Sequence, residues 1–343
     1  MKLEIYLDRG NSGSKVLPIL NEKILDPFKI PSVTRKVGEI NQTISFGQSG
    51  PSFLCGNPAI ESYDGIRYTP LDENDKIRDL AVVVAAAIAE VVNDGGPIEL
   101  SLGVSSPLVY KDIEKDITKE LSRLDAGFHK GDSQYTVMLE RVGAFQEGVI
   151  FLELNTDFDG VIDLGQGTLL AGIRHPHRGV VTLPLSDGNL GGCNLIISAL
   201  LEDEKFLKVV KAAGFSSAPS PDKLSSLLSN GRWDVKGIDF RKYLKPHLTI
   251  AKQRLENAAQ SVKAELQNAL PYETVVPRIA FIGGGSSLMQ GVLGEALNKW
   301  CDKHHMVMYA DSPDYQTVLQ MHEAVKQDPK RLTTVWVESE IAA

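Results

Sequence analysis

Two turns of one pattern open the two halves of this chain: Leu7-Asp8-Arg9-Gly10-Asn11-Ser12-Gly13-Ser14-Lys15 and Ile162-Asp163-Leu164-Gly165-Gln166-Gly167-Thr168. A third glycine turn, Phe281-Ile282-Gly283-Gly284-Gly285-Ser286-Ser287-Leu288, comes late in the sequence. Each follows a short apolar, β-branched run, so each reads as a strand entering a tight turn whose backbone amides can approach phosphate oxygens. One Asp-x-Gly strand end by itself is most often a plain hairpin. Two of them at the heads of separate halves, followed by a glycine triplet, restrict the chain to an α/β fold in which a pattern is repeated and the turns carry the ligand.

The 343 residues, 43% hydrophobic and 23% charged, have ordinary globular composition and are enough for two cores. Lys and Arg number 36 against 44 Asp and Glu, for a net charge of -8, and no long basic block interrupts the sequence. Direct grip on DNA concentrates positive charge on one face, so this balance places any DNA contact on a partner. The longest apolar stretch, Leu80 to Val92, contains Glu90 and is too short to span a bilayer; it reads as a buried helix. Met1 leads straight into a strand, without the basic start and cleavage site of a signal peptide. Cys55, Cys193 and Cys301 stand singly, which suits neither a disulfide framework nor a zinc site and fits a reducing cytoplasm.

Along the chain, residues 1 to about 70 read as strands and turns: the first hairpin, Val16 to Leu20, Ile30 to Val37, Gln42 to Phe46 and Phe53 to Cys55. Ile98 to Val104 is a buried strand ending at Ser105-Ser106-Pro107, and Asp112 to Leu124 an amphipathic helix with Ile113, Ile117, Leu121 and Leu124 at helical spacing. Alternation gives a strand over Tyr135 to Leu139, expected to lead into a helix carrying Gln146. Asn155, Asp157 and Asp159 alternate as in a calcium loop, but Gln166 occupies the closing glutamate position, so they read as a solvated turn. His175-Pro176-His177 reads as an exposed hairpin tip rather than a metal pair. Helices are expected over 188 to 213, 221 to 230, one long element carrying Leu244, Leu248, Ala251, Leu255, Ala258, Val262 and Leu266, and Leu288 to Lys299.

The order of these turns resembles the superfamily of actin, DnaK-type chaperones and sugar kinases, and within it the bacterial actin-like ATPases of the ParM, plasmid-segregation type. The resemblance covers nearly the whole chain. Val142 to Ile150 is similar to the segment carrying the family's catalytic Gln or Glu, with Gln146 at that position; Gly188 to Leu200 is similar to the glycine turn and helix after the second hairpin; Asp311 to Gln316 resembles the turn returning the chain to the first domain. Two departures stand out: Gln320, Met321 and His322 replace the usual small residues, and Arg9 is unusual in the first hairpin. The resemblance implies two related α/β domains, each a mixed five-stranded sheet flanked by helices, with nucleotide in the cleft between them. Their expected limits are 1–158, with a smaller subdomain near 30–70, and 159–310, with 311–343 returning to the first domain.

The chemistry suits those residue types. Glycine turns give donors in a fixed array for a triphosphate: Gly10, Asn11, Ser12, Gly13, Ser14 and Lys15 on one side, Gly165, Gln166, Gly167 and Thr168 on the other. By resemblance Lys15 meets the β/γ-phosphates and Gly192 adds a contact. Asp8 and Asp163 are acceptors where donors are wanted; a magnesium ion in its water shell resolves this. Gln146 can orient the attacking water through donor and acceptor at once; a shifted register would move that role to Glu147. Gly283, Gly284 and Gly285 let adenosine sit against backbone, with Leu288 and Met289 as apolar contacts, and Lys205 and Lys208 as candidates at the base. The implied activity is ATP hydrolysis to ADP with Mg, GTP remaining open, coupled to assembly of a filament of the chain with itself that moves or spaces plasmid DNA through a DNA-binding adaptor, without membrane contact. A small-molecule kinase and a non-hydrolysing nucleotide scaffold are the alternatives.

Overall fold

The computed structural model describes residues 1–10, 13–38, 43–47, 50–62, 66–68, 76–107, 109–185, 191–214, 219–229, 231–270, 274–309 and 313–335. The chain divides into two compact units, one of Met1–Arg9, Gly13–Gln146 and Val318–Ala343, the other of Gly10–Ser12 and Glu147–Thr317.

In the first unit the strands are β1 (Lys2–Arg9), β2 (Gly13–Leu20), β3 (Lys23–Ile24), β4 (Phe28–Pro31), β5 (Thr34–Val37), β6 (Ile44–Phe46), β7 (Ser52–Cys55), β8 (Ile66–Tyr68), β9 (Gly96–Ser106), β10 (Phe128–Lys130) and β11 (Ser133–Gln146). The helices are α1 (Asn57–Glu61), α2 (Leu80–Val91) and α3 (Ile113–Leu121). β1 and β2 form the first hairpin, and β9 and β11 then add in parallel to β1, giving the order β3-β2-β1-β9-β11. The sheet does not stop at the five expected strands, because β11 turns back into β10 and carries the order on through β6-β7-β5-β8. Leu3, Ile5 and Leu7 point to the core face, against α2, whose residues Leu80 to Ala89 are all buried. A helix apolar all round has to be enclosed, and α2 is.

β11 is longer than its alternation suggests. Tyr135, Val137 and Leu139 face the core, but the register against β9 shifts between Leu139 and Arg141, after which Val142 takes the core side. The extra residue is a β-bulge.

The second unit repeats the plan. Its elements are α4 (Val149–Leu154), β12 (Gly160–Leu164), β13 (Leu169–His175), β14 (Gly179–Leu183), α5 (Cys193–Glu202), α6 (Glu204–Ala212), α7 (Pro221–Ser229), β15 (Asp234–Val235), β16 (Ile238–Asp239), α8 (Phe240–Ala269), β17 (Ile279–Ile282), α9 (Gly284–Leu293), α10 (Glu295–Lys303) and β18 (Met306–Met308). The sheet order β14-β13-β12-β17-β18 is five-stranded, with β12 antiparallel to β13 and parallel to β17, as β1 is to β2 and β9. The stripe on α8 is core from Leu244 to Leu266, as its spacing requires. Residues 193 to 212 are two helices, because Asp203 ends the first and caps the second, accepting from Lys205 N–H and Phe206 N–H. His175 and His177 flank the tip between β13 and β14, and no cluster of metal-ligating side chains exists among the described residues. No helix among the described residues is long and apolar enough to cross a membrane.

The chain then forms α11 (Gln316–Gln327), whose Val318, Met321 and Ala324 are buried, and β19 (Thr333–Thr334), which pairs with β11 at Arg141 and Val142. His322 on α11 meets the ring of Tyr6 edge-on at 5.5 Å.

Candidate nucleotide site

Parallel pairing in the first unit brings the carboxyl ends of β1, β9 and β11 to one edge of the sheet, the edge at which open α/β sheets bind ligands. Asp8 ends up beside Ser105, and Ser106 is in register with Gln146. Asp8 is 3% exposed. Its Oδ2 lies 2.5 Å from Lys15 Nζ, and its Oδ1 accepts from Ser105 Oγ at 2.7 Å. Burial alone would push this carboxyl up, but the charges of Lys15 and Lys76, with the hydrogen bonds from Lys15 and Ser105, hold it down at about 2. Lys15 is therefore a paired lysine facing Asp8 across the hairpin, not a solvated one.

Among the other first-hairpin residues, Ser14 is fully buried, shares its hydroxyl with Ser32 at 2.9 Å and lies in the sheet between Arg9 of β1 and Ile30 of β4. Asn11 and Ser12 lie outside the described residues, as do Gly188, Asn189, Leu190, Asp311 and Ser312 among the segments singled out by resemblance.

Gln146 is not on a helix. It is the last residue of β11, and its Nε2 donates to Pro107 O at 3.1 Å, at the end of the neighbouring strand. The helix begins only at Val149, after a turn in which Gly148 takes a φ of 70°. Glu147 sits in that turn, ahead of the helix, and is 6% exposed.

In the second unit the hairpin between β12 and β13 is seated on the N-terminus of α5. Cys193 N–H donates to Gly165 O (3.0 Å), Asn194 N–H to Gln166 O (2.8 Å) and Gly191 N–H to Gly167 O (2.7 Å), while Gly165 N–H closes the turn on Thr168 O (2.9 Å). No peptide bond here is cis. In a trans peptide the N–H opposes the C=O, so turning the carbonyls of Gly165, Gln166 and Gly167 toward α5 turns the amides of Gln166, Gly167 and Thr168 away from it. The result is a short array of outward donors. Gln166 Nε2 braces the turn through Asn194 Oδ1 (2.7 Å) and Ser225 Oγ (2.8 Å). A Cβ on Gly192 would run into the carbonyls of Gly165, Thr168 and Gln166, so glycine is required for this seating.

Asp163, 9% exposed, is the penultimate residue of β12, in register with Ile282 of β17. The glycine triplet folds over it: Gly283 has φ 91°, and a Cβ there would strike the Asp163 carboxylate; one on Gly285 would strike Leu164. Gly284 has only Asp314 Oδ1 at 3.7 Å. Leu288 and Met289 belong to the core of the unit, Met289 with no exposed surface. Lys205 and Lys208 are exposed on α6, Lys208 paired with Glu204 at 3.5 Å.

Three residues of this region escaped the sequence reading: Ser105, which bonds Asp8; Lys76, 4% exposed and acting on the same carboxyl; and the role of Arg9, which is fully buried. Only a polar pair closing an otherwise apolar strand, Ser105-Ser106, hinted at the first.

No protein-family model matches this sequence, and no curated protein is similar to it. Among solved structures, the chain is similar to Ta0583, an archaeal actin homolog (TM-score 0.58, 17% identity, covering 95% of this chain and 99% of that one). It is also similar to the pCBH ParM non-polymerisable quadruple mutant (TM-score 0.54, 15% identity, covering 95% and 100%) and to Bacillus thuringiensis ParM with ATP (TM-score 0.51, 14% identity, covering 95% and 99%). The repeated hairpin-and-parallel-strand plan together with these likenesses defines a two-unit protein of the actin-like fold. Its structural neighbours within that fold include the archaeal actin homolog and ParM proteins.

Proposed function

We propose that this chain is an actin-like ATPase that polymerises with nucleotide and disassembles after hydrolysis, moving or spacing plasmid DNA through a DNA-binding adaptor. The observation that carries the reading is the recurrence, in both units, of a buried aspartate at a strand's carboxyl end beside a glycine hairpin. Neighbours of the same fold were solved with ADP, ATP and AMPPNP, and one was made non-polymerisable by mutation.

In this reading the amides of Gly10 and Gly13 and of Gln166, Gly167 and Thr168 receive phosphate oxygens, with Lys15 as the point charge and Gly192 and the glycine triplet near the nucleoside. Asp8, already engaged by Lys15 and Ser105, suits magnesium only as an ion that arrives with the nucleotide and is met through water, the role this reading also gives Asp163. Bound there, the ion would neutralise phosphate charge. Gln146, braced on Pro107 O, orients the attacking water. Closed and open nucleotide states need only differ in lattice affinity for hydrolysis to drive disassembly.

The test is light scattering and phosphate release from the purified chain. Scattering that rises with ATP, decays as phosphate appears and persists with AMPPNP supports the reading. Absence of phosphate release without an added acceptor would favour a kinase, and release without pelletable polymer would remove the filament.

A further inference from the structure

Arg9 follows Asp8 in β1 and leaves the strand on the opposite face, in line with Leu3, Ile5 and Leu7. Its side chain has no exposed surface. Nη1 donates to two backbone carbonyls, Lys76 O at 2.7 Å and Arg78 O. Both belong to the turn that opens α2, in which Asp79 takes a φ of 55° and Leu80 N–H returns to Ile77 O. Nε and Nη2 have no hydrogen-bond partner among the described residues. Asp79 in turn is held by Thr34 Oγ1 at 3.0 Å, with Arg123 Nη1 3.5 Å away.

A leucine would continue the apolar face of β1 without burying a cation and leaving two of its donors unused, both of which cost stability. What leucine cannot do is hold two carbonyls more than sixty residues away in sequence. Arg9 thus ties the backbone between Asp8 and Gly10 to a turn whose first residue, Lys76, is itself buried and acts on Asp8.

Resting on the nucleotide reading above, we propose that Arg9 is a positioning residue of the first hairpin: it locks the end of β1 to the Lys76–Arg78 turn so that the Gly10 amide and Lys15 are held in place for the terminal phosphates. Donors without a partner among the described residues, beside two carbonyls held, fit a group retained for placement rather than for packing.

The experiment compares wild type, R9M and R9K for binding of fluorescent ATP and ADP analogues, with the thermal midpoint of each. R9M should weaken ATP binding about tenfold and ADP binding less, since small displacements of phosphate donors cost most where most charge is met, and R9K should recover part of the loss. Folded R9M with wild-type ATP affinity, or with equal losses for both nucleotides, overturns the proposal. If R9M does not fold, hydrogen exchange on the native chain decides: ATP should slow exchange at residues 76–80 together with the hairpin, and protection confined to the hairpin overturns it. A wild-type chain that binds neither nucleotide overturns the nucleotide reading and this inference with it, whereas intact binding in both wild type and R9M overturns this inference alone.

Discussion

Lys15 and Asp8 face each other across the first hairpin, Nζ to Oδ2 at 2.5 Å, while Ser105 reaches the other carboxylate oxygen from the neighbouring parallel strand. Removing one member of such a pair strands a buried charge. K15M should lower unfolding free energy by about 3 kcal/mol, and the double variant D8N/K15M by less than the single change, as read from urea unfolding. A loss in the double variant equal to the sum of the separate K15M and D8N losses would mean that the pair is not coupled.

Gln146 should act on hydrolysis and not on binding. Q146A is expected to bind an ATP analogue as the native chain does and to release phosphate about a hundredfold more slowly. Unchanged turnover would remove Gln146 from the mechanism.

The glycine triplet separates into two required positions and one permissive one. G283A meets the Asp163 carboxylate from a left-handed backbone and G285A meets Leu164, so each should lose about 2–4 kcal/mol. G284A, in the first turn of α9, would place its Cβ at ordinary van der Waals distance from Asp314 Oδ1 and should be neutral or slightly stabilising because alanine is the better helix former. Chemical denaturation of the three variants checks the order.

His322 gives the fold a pH response. Burial lowers its pKa below the ordinary value, and its Nδ1 has no hydrogen-bond partner among the described residues. The unfolded chain then binds the proton more readily than the folded one. The stability contributed by the neutral ring is whole above the unfolded value of about 6.5 and is lost as pH falls from there through the lower folded value. H322F keeps a ring against Tyr6 and should flatten the acid side of a stability–pH curve; a curve unchanged by H322F would exclude this histidine as its source.

The hairpins and the strands before them were legible because glycine and aspartate mark strand ends whatever the surroundings. The partners of Asp8 were not, since Ser105 and Lys76 reach it only through parallel pairing and a long connection. Alternation, the only local signal for β11, reaches no further than Leu139 because it fails at the bulge. The start of α9 is hidden for a different reason: Gly284 and Gly285 are poor helix formers, and at 285 glycine is required because Leu164 of β12 presses against the turn. The twelve-stranded extent of the first sheet depends on which edge accepts β10, information that no single segment holds.

The irregularity at Glu140 makes the orientation of Gln146 a matter of counting. Odd-numbered residues point inward before it and even-numbered ones, beginning with Val142, after it, so Gln146 shares the side of Val137 and Leu139 only because one supernumerary residue intervenes. Deleting Glu140 would leave every side chain of the strand's tip in the polypeptide and turn that tip over, exchanging Phe145 for Gln146 on the inner side. The aim of the side chain proposed to orient water is thus set six positions upstream, by a bulge residue with no part in that chemistry.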